Sequence, residues 1–132
     1  MSIKYEHDGV ASFNYSSFTT NFGTGCDALA ADITIEISKK GSVCEIYIPQ
    51  LTSANGKVGV ITATAVIPVH LRPATDFYSI CATLDDSTKC VGCIKISSAG
   101  LITFYKSIIL GNFTATVNAG TISDNYFKYL CV

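Results

Sequence analysis

The chain has 132 residues, enough for one domain that buries about two thirds of its unfolded surface and too few for a second core. Charged residues make up 14% and hydrophobic residues 48%, with a mean hydropathy of +0.38, which is dry beside a typical charged fraction of about 25%. The net charge is −1 and the lysines are scattered singly apart from Lys39-Lys40; this gives no electrostatic footprint for nucleic acid and leaves apolar surface that an oligomer would cover.

Residues 1–8 have no apolar secretion core, and no stretch approaches the ~20 apolar residues of a spanning helix, so the product is expected in the cytosol where it is made, without membrane insertion. Between Ser12 and Gly25, small polar residues interleave with Phe13, Tyr15, Phe18 and Phe22. That pattern fits an irregular leading strand or an arm that docks on another body, so residues 1–25 are set apart from a domain over residues 26–132. From Ile33 the period is two, Ile33, Ile35 and Ile37 alternating with Thr34, Glu36 and Ser38 as in a half-buried strand. Gly41 sits where a tight hairpin needs positive φ, and residues 43–48 return with Cys44, Ile46 and Ile48 on one face. Pro49 ends this hairpin, residues 53–57 form a loop, and residues 58–67 read as one long strand stopped by Pro68. Residues 77–84 and 90–97 pair across a polar loop at 85–89, and Ser98-Ala99-Gly100 turns the chain into a strand over 101–106. Strands around 108–116 and 125–132 complete an all-β chain with no credible helix. The expected architecture is a jelly-roll sandwich of two antiparallel sheets with about eight to ten strands.

Little in the chain has the pattern of catalytic chemistry. Cys90-Val91-Gly92-Cys93 is half of a zinc ligand set, and no spacing selects Cys81 or His70 to complete it. It enters a strand rather than a helix, so the dipole that activates redox C-x-x-C thiols is missing. His7 and His70 lack a nucleophile and carboxylate in pattern around them, and Asp85-Asp86 reads as a solvated hairpin tip. No enzyme activity, metal or cofactor is expected. Six cysteines do not fix the redox compartment. If Leu84 faces Cys90, register places Cys81 opposite Cys93, which allows a cross-strand disulfide; the alternative is two reduced thiols packed as small apolar groups. Cys44 belongs to the core face, and Cys26 and Cys131 have no assignment. The tyrosines and phenylalanines fall mostly at strand positions, where core or subunit interface is the default, while exposed tips such as Tyr78 or Tyr105 are able to stack on a sugar or a protein partner.

Ile67-Pro68-Val69-His70-Leu71-Arg72-Pro73 concentrates the sole arginine, a histidine and two of the three prolines. Both prolines remove ladder donors, so this is a corner where the chain can leave one sheet and cross toward the next. Pro68, Leu71, Arg72 and Pro73 are therefore architectural. Leu71 packs inward, and Arg72 pins the corner by bonding turn carbonyls or by pairing with an acid such as Asp76 or one on a neighbouring subunit.

The order of a hairpin over 33–49, a long strand, Ile-Pro-x-x-Leu-Arg-Pro (67–73), Gly-x-Ile-x-Ile (92–96), Gly-x-Ile-x-x-Tyr (100–105) and a final aromatic strand (126–129) resembles the trimeric head domains of phage tail fibres and large-virus surface proteins. Those heads are similar in fold to tumour-necrosis-factor-like and complement-globular-head-like jelly rolls. The resemblance covers residues 33–132 and implies a homotrimer with the last strand near the threefold axis, so that Tyr126, Phe127 and Tyr129 would lie at the interface. It also implies a viral structural protein on the virion surface, acting in host attachment or virion decoration. Its partners would be further copies of itself, a host-surface glycan or protein, or other virion proteins. Such heads usually follow a stalk, whereas about twenty-five residues precede the domain here, which points to a free-standing trimer or attachment through the N-terminal arm. The alternative reading is a carbohydrate-binding jelly-roll module of cellular origin.

Overall fold

The structure, a computed structural model, describes residues 3–7, 10–23, 31–53, 59–114 and 118–131. Among the described residues, eleven strands form two antiparallel sheets, a jelly-roll sandwich: β1 (Ile3–His7), β2 (Val10–Thr20), β3 (Ile33–Lys40), β4 (Val43–Ile48), β5 (Thr52–Ser53), β6 (Ile61–Thr62), β7 (Phe77–Asp85), β8 (Thr88–Ile96), β9 (Ile102–Tyr105), β10 (Ala119–Thr121) and β11 (Asn125–Leu130). The first sheet has the order β1-β2-β3-β4-β11 and the second β5-β10-β7-β8-β9-β6. No helix among the described residues is long and apolar enough to cross a membrane.

Alternation dictates the first sheet. Ile35, Ile37, Cys44 and Ile46 point into the core, with Ile37 opposite Ile46, while Glu36, Ser38, Glu45 and Tyr47 face out, as the pleat requires. Gly41, at φ +60°, makes the two-residue turn between β3 and β4. The leading segment is not a loose arm along β2, which pairs with β3 from Phe13↔Lys40 to Thr20↔Ile33, and β1 pairs in turn with β2. The boundary at residues 25 and 26, and Cys26 with it, lie outside the described residues. β11 returns beside β4, with Phe127 opposite Ile46 and Tyr129 opposite Cys44.

In the second sheet the ladder between β7 and β8 runs out to Asp85↔Thr88. The connection is thus two residues, Asp86 and Ser87, both at positive φ (54° and 58°), which is the primed turn that suits hairpin twist. The expected strand over 58–67 shortens to β6. Its start lies outside the described residues; Ala63 N still bonds Ile102 O of β9, and beyond it the donors leave the ladder: Thr64 N bonds Asn21 O, and Ala65 N bonds the Thr20 hydroxyl. This stretch seams the end of β2 to the edge of the second sheet. Within the second sheet the β5–β10 pairing runs one residue further, where Leu51 N donates to Thr121 Oγ1 and Thr121 N to Leu51 O. The strand expected around 108–116 is instead a turn over 107–110 followed by an isolated bridge from Phe113 to Gly59; Thr116 lies outside the described residues. Between the sheets, Phe22, Ile35, Ile37, Ile46, Ile48, Ile61, Ile67, Leu71, Ile94, Ile96, Phe104 and Phe113 are the largest fully buried side chains, and Phe22 meets Phe104 edge to face with centroids 5.8 Å apart.

Candidate functional site

The proline-bracketed corner joins β6 to β7, two strands of the same sheet, so it does not carry the chain from one sheet to the other. It passes instead across the end of the first sheet and ties both together. Pro68 starts a 3-10 turn over Val69–Leu71. Leu71 is fully buried, and its carbonyl accepts the Tyr129 hydroxyl of β11 at 2.6 Å. Pro73 bridges Cys131, Ala74 N donates to Leu130 O, and the Lys39 ammonium donates to His70 O. Arg72 Nε donates to Ile67 O at 2.7 Å, while Asp76 takes Ser98 N and Lys95. Arg72 therefore closes its own turn.

The disulfide geometry expected for Cys81 and Cys93 is not present. Because the turn is two residues, Cys81 pairs with Gly92 and Cys93 with Ile80, a slip of one that sends the two thiols to opposite faces of the sheet. Both are free, as are Cys44, Cys90 and Cys131. Burial pushes the Cys44 and Cys81 thiols up to about 12, which leaves them unreactive at neutral pH. Asp85 is likewise not a solvated tip residue. It is 3% exposed, and its carboxylate accepts Thr114 N and Thr114 Oγ1 and pairs with the Lys106 ammonium at 2.9 Å. That clamp fixes the end of β7 to the excursion after β9. Asp86 is exposed.

Two outward faces are left for recognition. On the first sheet, cross-strand neighbours build a row Ser17, Glu36, Tyr47, Tyr126 beside a row Tyr15, Ser38, Glu45, Lys128. The rings of Tyr47 and Tyr126 lie 4.9 Å apart at 37°, and Tyr126 is 75% exposed. The Tyr15 hydroxyl donates to Glu36, and the Tyr47 hydroxyl to Asp124 at 3.1 Å. These bonds to carboxylates hold both phenols above their ordinary value of 10.0, so they stay protonated donors with fixed rings. Lys128 pairs with Glu45 at 3.1 Å. Three depressions of about 150, 170 and 520 Å³ run along this face and share Glu45; the largest reaches the β3–β4 turn at Lys40 and Gly41 and is of ligand-site size.

On the second sheet the outward face is apolar. Tyr78, Ile80 and Val91 are 49%, 67% and 61% exposed on adjacent positions of β7 and β8. Cys93 sits between Ile80 and Tyr105 in the same row. Lys95 lies over the Tyr78 ring at 5.6 Å. Of the residues expected at an interface, Tyr126 alone is exposed; Phe127 and Tyr129 point into the core, 9% and 5% exposed, against Phe77. Alternation along β11 is the reason, since its odd positions pair inward with Cys44 and Ile46. Among the described residues no group of three or more His, Cys, Asp or Glu is placed to hold a metal ion.

The tyrosine and carboxylate face was missed in the sequence because its members come from four strands. Glu36, Ser38, Glu45 and Tyr47 carry a signal, being the outward partners of an alternating hairpin. Nothing in the sequence marks that β2 and β11 flank it.

No protein-family model and no curated protein matches the chain. Among solved structures, it is similar in fold to the reovirus attachment protein sigma1 in complex with alpha-2,3-sialyllactose, with a TM-score of 0.50 and 10% sequence identity. The match covers 90% of this chain and 65% of that one. At that identity the likeness is one of fold alone.

Proposed function

We propose that the chain is a homotrimeric head module displayed on a virus particle, where it attaches the particle to a host surface. The observation that carries this reading is the sandwich it shares with a viral attachment protein over nine tenths of its length. Support for self-association comes from the outward stripe of Tyr78, Ile80 and Val91 in a chain with few charges to cover its exterior. In this arrangement β7 and β8 face the threefold axis and the tyrosine face of the first sheet looks outward. Three copies then present three identical faces, and attachment gains by avidity what a single weak contact lacks.

Binding of the fluorescently labelled protein to a panel of cultured cells tests the reading, with Ile80→Asp as the variant that charges the stripe. The wild-type protein is expected to bind some of the lines, and the charged variant to bind them at least about tenfold more weakly, as loss of multivalency requires. Absence of binding to every line, or equal binding by both proteins, contradicts it.

A further inference from the structure

We infer that the outward face of the first sheet is a binding site for a neutral oligosaccharide. It rests on the attachment reading for the source of the sugar, a host-cell glycan, and not for the site itself. Sugars offer two recognition surfaces, a patch of C–H bonds that packs on an aromatic ring and a rim of hydroxyls that seeks fixed acceptors and donors. Tyr126 supplies the ring, 75% exposed and braced by Tyr47 at 4.9 Å. Glu36 and Glu45 supply acceptors within the same depression, and each carboxylate has more lone-pair sites than its bond to Tyr15 or Lys128 uses. Ser38 adds a hydroxyl between them. The tether from Tyr47 to Asp124 fixes its ring before any ligand arrives, which reduces the ordering that binding requires.

Charge decides the class of sugar. Three carboxylates, Glu36, Glu45 and Asp124, surround the two rings, and the ammonium that enters the depression, Lys128, is bonded to Glu45. Lys40 lies at the far end of the 520 Å³ depression, beyond Ser38. A sialic acid carboxylate docked on Tyr126 would meet three carboxylates and one ammonium already paired to Glu45, whereas a neutral hexose would find acceptors for its hydroxyls. The face therefore selects against acidic sugars.

The test is biolayer interferometry of the whole protein on immobilised neutral oligosaccharides and on the same oligosaccharides capped with α2,3-linked sialic acid. At least one neutral oligosaccharide is expected to bind, and the sialylated form to bind more weakly. Tyr126→Ala should lose binding by about tenfold or more while Tyr126→Phe keeps it. Glu45→Gln should narrow the gap between neutral and sialylated forms. All three changes are at exposed positions, and near-ultraviolet circular dichroism confirms that the fold is kept. Binding to cells with no binding to any neutral oligosaccharide overturns this inference and leaves the attachment reading standing. Preference for the sialylated forms, or indifference to Tyr126→Ala, also overturns it. Sugar binding by a protein that fails to bind cells supports the site and overturns the attachment reading.

Discussion

At Arg72 a planar guanidinium does what an ammonium cannot. Its Nε reaches the Ile67 carbonyl at 2.7 Å from within its own turn, and the side chain lies so close to Gly100 that a Cβ there would meet Nε at 2.8 Å. Gly100, at φ +87°, fits because it has no Cβ, and its carbonyl in turn accepts Ile67 N. Lysine keeps the charge but cannot present an Nε–H sideways into this space. Arg72→Lys is therefore expected to lower stability by about 1–2 kcal/mol, a drop in Tm of roughly 3–6 °C in a thermal scan, with oligomeric state and sugar binding unchanged. An unchanged Tm would show that the bond to Ile67 carries no weight. Two prolines around a lone arginine made this segment legible as a corner. The atom that Arg72 bonds was not legible, because Asp76 four residues on is an equally near acid by sequence and is taken up by Ser98 and Lys95 through the β7–β8 pairing.

The elements divide by whether their turns advertise themselves. β3 and β4 could be read to the residue, since strict alternation runs up to a glycine on both sides. The hairpin of β7 and β8 could not, because its turn residues are Asp86 and Ser87 and the polar run from Asp85 to Lys89 hides a ladder that continues through it. One residue of register then moved Cys93 to the other face. Likewise residues 63–67 are small and β-branched, the composition of a strand, yet Thr64 N and Ala65 N turn away to bond Asn21 O and the Thr20 hydroxyl at the end of β2. At the start of β7, Asp76 latches the strand to the following turn by accepting Ser98 N at 2.8 Å, and that bond, aided by Lys95, holds its carboxyl below the ordinary 3.8. A carboxylate depressed on folding contributes stability above its unfolded pKa and loses it as pH falls through the folded one. Asp76→Asn should therefore lower the urea midpoint at about pH 6 and have a shrinking effect toward about pH 2. A penalty that stays constant over that range would mean that charge at Asp76 is irrelevant to the latch.

At the scale of the whole molecule, a two-layer all-β sandwich follows from alternation and from the absence of helical period. Its sheet order does not follow, because β11 beside β4 and β10 beside β7 are pairings across long stretches of chain with no local marker. The sandwich turns a polar, tyrosine-rich face out from one sheet and an apolar face out from the other. In the trimer proposed above, this asymmetry favours contacts between copies at β7 and β8 over the last strand, whose Phe127 and Tyr129 are committed to the core. In that arrangement the proposed sugar-binding face stays clear of the axis. Native mass spectrometry of the purified chain, with Ile80→Asp measured alongside, tests this division most directly. Three copies of 14.0 kDa, about 42 kDa, are expected for the wild type and one copy for the variant; a wild-type chain that stays at 14.0 kDa at micromolar concentration, or a variant that remains trimeric, would contradict it.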